Sequence, residues 1–125
     1  RLVKLNQDEV RVLTRLLEIP AATEEQFCQQ ILQSFGVDAI CVTRGDQGCL
    51  MVDRSGVADV LGIPVSVVDT VGAGDAFTAA WVAGRLKGWN LARQAEFANR
   101  VGALVASLPG AMPPVKEKYE RLLES

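Results

Sequence analysis

Apolar residues recur at helical spacing twice in the first third of the chain, and then give way to continuous runs. Val10, Leu13, Leu16 and Leu17 mark one face of a predicted helix that reaches about Glu18, where Ile19-Pro20 ends it. It follows residues 2–5, which read as the end of a strand. Asn6, with Glu9 three residues on, fits the N-cap and N3 positions of a capping box. Thr23 caps a second predicted helix with Gln26 at the capping-box position, Phe27, Ile31, Leu32 and Phe35 on its inner face, and Gly36 at its C-cap.

The run 37–43, apolar apart from Asp38 and the closing Thr43 and rich in β-branched residues, has the pattern of a strand buried on both faces beneath helices. Turn signals at Gly45-Asp46-Gln47-Gly48 and Asp53-Arg54-Ser55-Gly56 then delimit two short strands, 49–52 and 57–60, of an antiparallel excursion. Pro64 introduces another apolar strand, 65–68. A glycine-rich stretch, 69–75, leads into a helix of small residues from Ala76 to about Lys87. Asn90 caps a further helix to about Ser107, a loop spans 108–114, and 115–124 makes a last amphipathic helix with Tyr119, Leu122 and Leu123 inward. Strands alternating with helices predict an α/β fold, here one domain over residues 1–125.

Composition narrows the function. The chain has 125 residues, 49% of them hydrophobic, enough for a core. Its 13 basic and 15 acidic residues give a net charge of -2 and no basic stripe, so no nucleic-acid partner is expected. No stretch has the length of a membrane span and the start lacks the pattern of a signal peptide. Cys28, Cys41 and Cys49 form no C-x-x-C pair, and their odd number favours a reducing, cytoplasmic compartment. Histidine is absent, which excludes Ser-His-Asp and Cys-His catalysis and leaves acid-base work to carboxylates.

The glycine-rich turn 72–74 joins a strand to a helix, where unpaired amides receive anions in α/β proteins. Neither the P-loop nor the dinucleotide fingerprint is present, since Phe77 stands where the latter needs its third glycine. An aspartate at the mouth of an anion hole repels a phosphate that merely binds, so Asp75 needs a metal or a proton to accept. As a base it would deprotonate a hydroxyl attacking a terminal phosphoryl group, with the amides of Gly72, Ala73 and Gly74 stabilising the transferred group. The plainer alternative is a tight turn with Asp75 as N-cap.

The stretch from Val68 through Asp69-Thr70-Val71-Gly72-Ala73-Gly74-Asp75-Ala76-Phe77 to Gly84 closely resembles the C-terminal signature of the ribokinase/pfkB carbohydrate kinases. Asn6-Gln7-Asp8-Glu9 resembles that family's N-x-x-E segment, Val42-Thr43-Arg44-Gly45 its nucleotide-binding turn, and Gly110-Ala111 its closing loop, all in the family's order. The resemblance implies a partial ribokinase-like Rossmann-type sandwich, with a mainly parallel central sheet flanked by helices and a short antiparallel excursion. It implies Asp75 as base, the 72–74 amides as anion hole, Thr43, Gly45, Asn99 and Gly110 as nucleotide contacts, and Asn6 and Glu9 as organisers of Mg2+ through water. A capping box alone would also explain Asn6 and Glu9, a simple turn Thr43 and Gly45, and a solvent-facing position Asn99. Many members bind a monovalent cation such as K+ through backbone carbonyls, here those of Asp69, Val71 and the 105–110 loop.

The implied partners are ATP and a small sugar or sugar acid. The family's chains are about twice as long, and the resemblance implies that the N-terminal half with most sugar contacts and the lid is absent from these 125 residues. The isolated piece is therefore expected to be inactive, with an open sheet edge prone to pairing with another copy, and the full-length protein to be a homo-oligomer. A non-catalytic nucleotide-binding or oligomerisation module is the alternative.

Overall fold

The computed structural model describes residues 1–64 and 72–108, and their contacts fall into two compact units, the first ending at Gly62 and the second beginning at Ile63. The first unit runs β1 (Leu2–Asn6), α1 (Gln7–Leu16), α2 (Glu24–Phe35), β2 (Ala39–Thr43), a short 3-10 turn (Gly45–Gln47), β3 (Gly48–Asp53) and β4 (Gly56–Leu61). The second contributes α3 (Ala73–Leu86) and α4 (Leu91–Ala106). The expected strand at 65–68 and helix at 115–124 lie outside the described residues.

The four strands form one sheet in the order β1-β2-β3-β4. β1 and β2 are parallel, as a helical crossover between them requires, with Leu2 opposite Ala39 and Asn6 opposite Thr43. β3 and β4 follow as the expected antiparallel excursion. One ladder of three is parallel, so among the described residues the excursion outweighs the parallel part of the sheet.

Alternation along the strands decides the core. Val3, Leu5, Ile40, Val42, Leu50 and Val52 share a cluster with Val10 and Leu13 of α1 and with Phe27, Cys28, Ile31 and Leu32 of α2. Burial of each large side chain there contributes about 1.5–3 kcal/mol, and truncating Phe27, which is 1% exposed, would cost about 3–5 kcal/mol. Residues on the other face of β2 and β3, among them Cys41, Cys49 and Met51, are buried as well, which accounts for the lack of polar alternation in these strands.

Three expected core positions are corrected. Leu16 is 72% exposed, Leu17 44% and Phe35 49%. Leu16 lies six residues beyond Val10, about 120° away from the buried stripe at 100° per residue. Leu17 is the C-cap of α1 and Phe35 the last residue of α2, where the chain turns away from the core face. Gly36 ends α2 in the left-handed conformation, φ 62°, as its sequence position predicts.

In the second unit the small residues let two helices approach closely. A Cβ on Gly84 would lie 3.2 Å from both Gln94 Cγ and Trp89 Cε3, tighter than ordinary packing, and one on Gly102 would meet Phe77 Cβ at 3.5 Å. Asn90 caps α4 by accepting from Arg93 N at 2.8 Å. Buried Gln94 donates to Trp89 O at 2.6 Å, Trp89 meets Phe97 edge-to-face at 5.2 Å, and the Arg93 guanidinium lies 3.9 Å over the Trp89 ring. The turn between the helices is thus held by polar, aromatic and cation-π contacts together.

Candidate functional site

Two sequence motifs meet at the C-terminal ends of the parallel strands, the edge of an α/β sheet where ligands bind. Asn6 is the Cα partner of Thr43, and Thr43 Oγ1 donates to Leu5 O at 3.4 Å. Asn6 has extended backbone and caps α1 reciprocally: Glu9 N donates to Asn6 Oδ1 at 2.8 Å and Asn6 N to Glu9 Oε1 at 2.9 Å. The capping box is therefore present, and it fixes where the Asn6 and Glu9 side chains stand. Both residues are exposed. The analogous box at α2 is displaced by one residue: Gln26 N donates to Thr23 Oγ1 at 3.1 Å, but Gln26 Oε1 accepts from Ala22 N at 2.8 Å.

The turn after Thr43 is closed by Arg44 N donating to Gly48 O at 2.9 Å and Gln47 N to Arg44 O at 3.0 Å. Gly45 has φ 59° in open space, so backbone conformation alone selects glycine there. Gly48 combines φ 100° with a close approach, since a Cβ would fall 1.8 Å from Val60 O. Gly62 reciprocates, its Cβ position lying 1.6 Å from Asp46 O. The end of β4 thus lies directly against the turn.

Sequence reasoning missed the group that anchors this turn. Arg44, with its side chain 18% exposed, is paired with Glu24 at 3.0 Å and Asp59 at 2.8 Å. Burial alone would make its proton easier to lose, but hydrogen bonds to Asp59 and Glu24 reverse this and hold the guanidinium above its ordinary range. No spacing rule brings residues 24, 44 and 59 together, because they meet only through the sheet register. Beneath the turn, burial and a nearby Glu24 push the Cys28 thiol up to about 12, and a hydrogen bond with Cys49, with burial, holds the Cys41 proton well above the usual thiol range.

Among the described residues no cluster of three or more His, Cys, Asp or Glu could enclose a metal. Mg2+ keeps several waters and takes one or two carboxylates beside substrate phosphates, so an exposed Glu9 at a helix start is compatible with a water-mediated role.

In the second unit α3 begins at Ala73, three residues earlier than expected. Gly72 is its N-cap, in the left-handed conformation at φ 82°, and the first intrahelical bond runs from Ala76 N to Gly72 O at 2.9 Å. Ala73, Gly74 and Asp75 are consequently N1, N2 and N3, so Asp75 is not the N-cap that the plainer alternative supposed. The Asp75 side chain is exposed, and among the described residues no hydrogen bond or ion pair engages it. Asn99 is 8% exposed, so the solvent-facing alternative for it is also corrected. Val105 belongs to α4 rather than to a loop, and its carbonyl accepts from Leu108 N at 3.1 Å. Asp69, Val71 and Gly110 lie outside the described residues.

Among the described residues no helix is long and apolar enough to cross a membrane. The chain is 38% identical over 104 residues to a Pyrococcus horikoshii protein assigned as a sugar kinase, covering 78% of this chain and 33% of that protein. An Escherichia coli protein assigned as ribokinase II, solved in complex with ATP and Mg2+, superposes with a TM-score of 0.75 at 30% identity, covering 98% of this chain and 39% of that one. Escherichia coli phosphofructokinase-2, solved in complex with potassium, gives 0.75 at 25% identity, covering 98% and 41%. The chain thus spans about a third of the length of the Pyrococcus relative and about two fifths of the solved chains. The pfkB family carbohydrate kinase model matches residues 1–118. On that match, with the glycine-rich helix start and the paired strand ends in place, the chain belongs to the pfkB family of carbohydrate kinases.

Proposed function

We propose that this chain is the nucleotide-binding, C-terminal portion of an ATP-dependent sugar kinase, with Asp75 as general base and the amides of Gly72, Ala73 and Gly74 as the anion hole. The observation that carries the reading is the placement of Asp75: exposed, at N3 of α3, beside first-turn amides whose dipoles favour negative charge. In the reaction a sugar hydroxyl oxygen bonds to the terminal phosphorus of ATP, the bond from that phosphorus to the bridging oxygen breaks, the hydroxyl proton passes to Asp75, and ADP leaves. The first-turn amides face the developing charge on the equatorial oxygens.

Thr43, at the end of β2, and Gly45, in the turn that follows, are assigned to nucleotide contact, and the family resemblance assigns Asn99 and Gly110 the same role. Asn6 and Glu9 are the residues that would hold Mg2+ through water, and the ion would supply charge neutralisation of the phosphates. The carbonyls of Asp69 and Val71 are the groups that would hold a K+ ion, and phosphofructokinase-2 of Escherichia coli was solved in complex with potassium. The acceptor is a small sugar or sugar acid, bound mainly by parts of the protein beyond these residues.

Asp75→Asn in the full-length protein tests the reading. Turnover should fall by at least about a hundredfold, the lower range for a general base, while MgATP affinity stays within a few fold. Unchanged turnover would refute the assignment of the base. Tight MgATP binding by a wild-type protein that transfers phosphate to no sugar would favour a non-catalytic module.

A further inference from the structure

The turn that carries Thr43 and Gly45 is built around a side chain to which the nucleotide reading gives no task. Arg44 folds back from solvent: its Nε and one terminal nitrogen donate to Glu24 Oε1 at 3.1 and 3.0 Å, and the other terminal nitrogen donates to Asp59 Oδ1 at 2.8 Å. The second Glu24 oxygen accepts from Gln7 Nε2 at 2.9 Å. Gln7 stands between Asn6 and Glu9 in the chain. One series of hydrogen bonds therefore runs from the start of α1, through the first residue of α2, to the turn and on to β4.

We infer that Arg44 is a positioning residue of the nucleotide site, tying the turn that holds Thr43 and Gly45 to the helix start that holds Asn6 and Glu9. The inference rests on the reading of those four residues as nucleotide and phosphate contacts. The turn opens on Gly45, at φ 59° in open space, and glycine backbone is free to sample alternatives. A planar guanidinium that bridges two carboxylates removes those alternatives before the ligand arrives, so less ordering is left for binding to supply. Lysine cannot substitute fully, since an ammonium lacks the planar fork that serves Glu24 and Asp59 together.

The test is calorimetric titration of the full-length protein with MgATP, well below the melting temperature. Arg44→Met keeps the aliphatic stem and removes every polar contact; the expected result is affinity weaker by about tenfold, the equivalent of ordering one or two side chains. Arg44→Lys should recover part of the loss. Should Arg44→Met fail to fold, Asp59→Asn deletes one ion pair at a residue whose side chain is 57% exposed, and weakens binding by about two- to threefold. A purely structural role predicts a lower melting temperature with MgATP affinity unchanged in the folded variants, and that result overturns the inference. If the wild-type protein itself does not bind MgATP, the nucleotide reading fails, and the role of Arg44 with it.

Discussion

Glu9 serves two readings, a helix cap and a phosphate-site acid, and Glu9→Gln separates them. The cap requires only that the residue 9 side chain accept a hydrogen bond from Asn6 N, now 2.9 Å from Oε1, and that its own amide reach Asn6 Oδ1 at 2.8 Å. Glutamine meets both requirements. What it loses is a charge in the first turn of a ten-residue helix, worth about 0.3–0.5 kcal/mol at an exposed site. Asn6→Ala removes the cap itself and should cost about 1 kcal/mol, more noticeable here because so short a helix depends on its caps. In urea titrations of the full-length protein, Glu9→Gln should therefore lie close to wild type and Asn6→Ala clearly below it. The water-mediated role predicts the opposite ranking in severity for ligand binding: Glu9→Gln should weaken MgATP by about tenfold or more, the usual effect of losing an outer-sphere group. If Glu9→Gln binds MgATP within twofold of wild type, Glu9 is a cap and nothing more.

Further expectations follow from backbone, burial and charge. Gly48→Ala must push the end of β4 from the turn, because its Cβ would fall 1.8 Å from Val60 O at φ 100°; a loss of at least about 2 kcal/mol is expected in urea, against about 1 kcal/mol for Gly45→Ala, whose surroundings are open. Cys28 is raised by burial to about 12 from 9.0, so its unfolded form ionises first. Its contribution is full below about pH 9 and is lost as pH rises toward 12, with a slope of about 1.4 kcal/mol per pH unit. Cys28→Ala should remove that share of the alkaline slope in urea titrations between pH 8 and 11; an unchanged slope would contradict the assignment. Trp81 is 1% exposed and its buried Nε1 makes no hydrogen bond among the described residues. Trp81→Phe should accordingly stay within about 1 kcal/mol of wild type, the removal of an unsatisfied donor offsetting lost packing, whereas Trp81→Ala should cost about 3–5 kcal/mol.

Features set by near neighbours were legible in the sequence. The N-caps of α1 at Asn6, of α2 at Thr23 and of α4 at Asn90 depend on side chains reaching amides three residues away, the C-cap of α2 at Gly36 on a backbone conformation open to glycine, and all stand as read. The apolar run ending at Thr43 announced a strand buried on both faces. The turn residues after Thr43 and after Asp53 announced the two antiparallel strands. The glycine-rich helix start with Asp75 in its first turn was legible too. Its local geometry was less legible, because glycine and alanine do not reveal which of several adjacent residues enters the helix first, and α3 begins at Ala73 rather than Ala76.

What the tertiary structure decided is whatever depends on register between distant segments. Helical spacing assigned Leu16, Leu17 and Phe35 to the core, yet the helices end there and leave them exposed. The pairing of Asn6 with Thr43 brings two motifs 37 residues apart in sequence to one strand edge. The meeting of Glu24, Arg44 and Asp59 likewise arises only when α2, the turn and β4 are assembled. A sequence specifies local hydrogen bonds because their partners are tied together by a few covalent links. It does not by itself specify which remote carboxylates an arginine will reach, since that choice is made by the packing of a sheet and its helices.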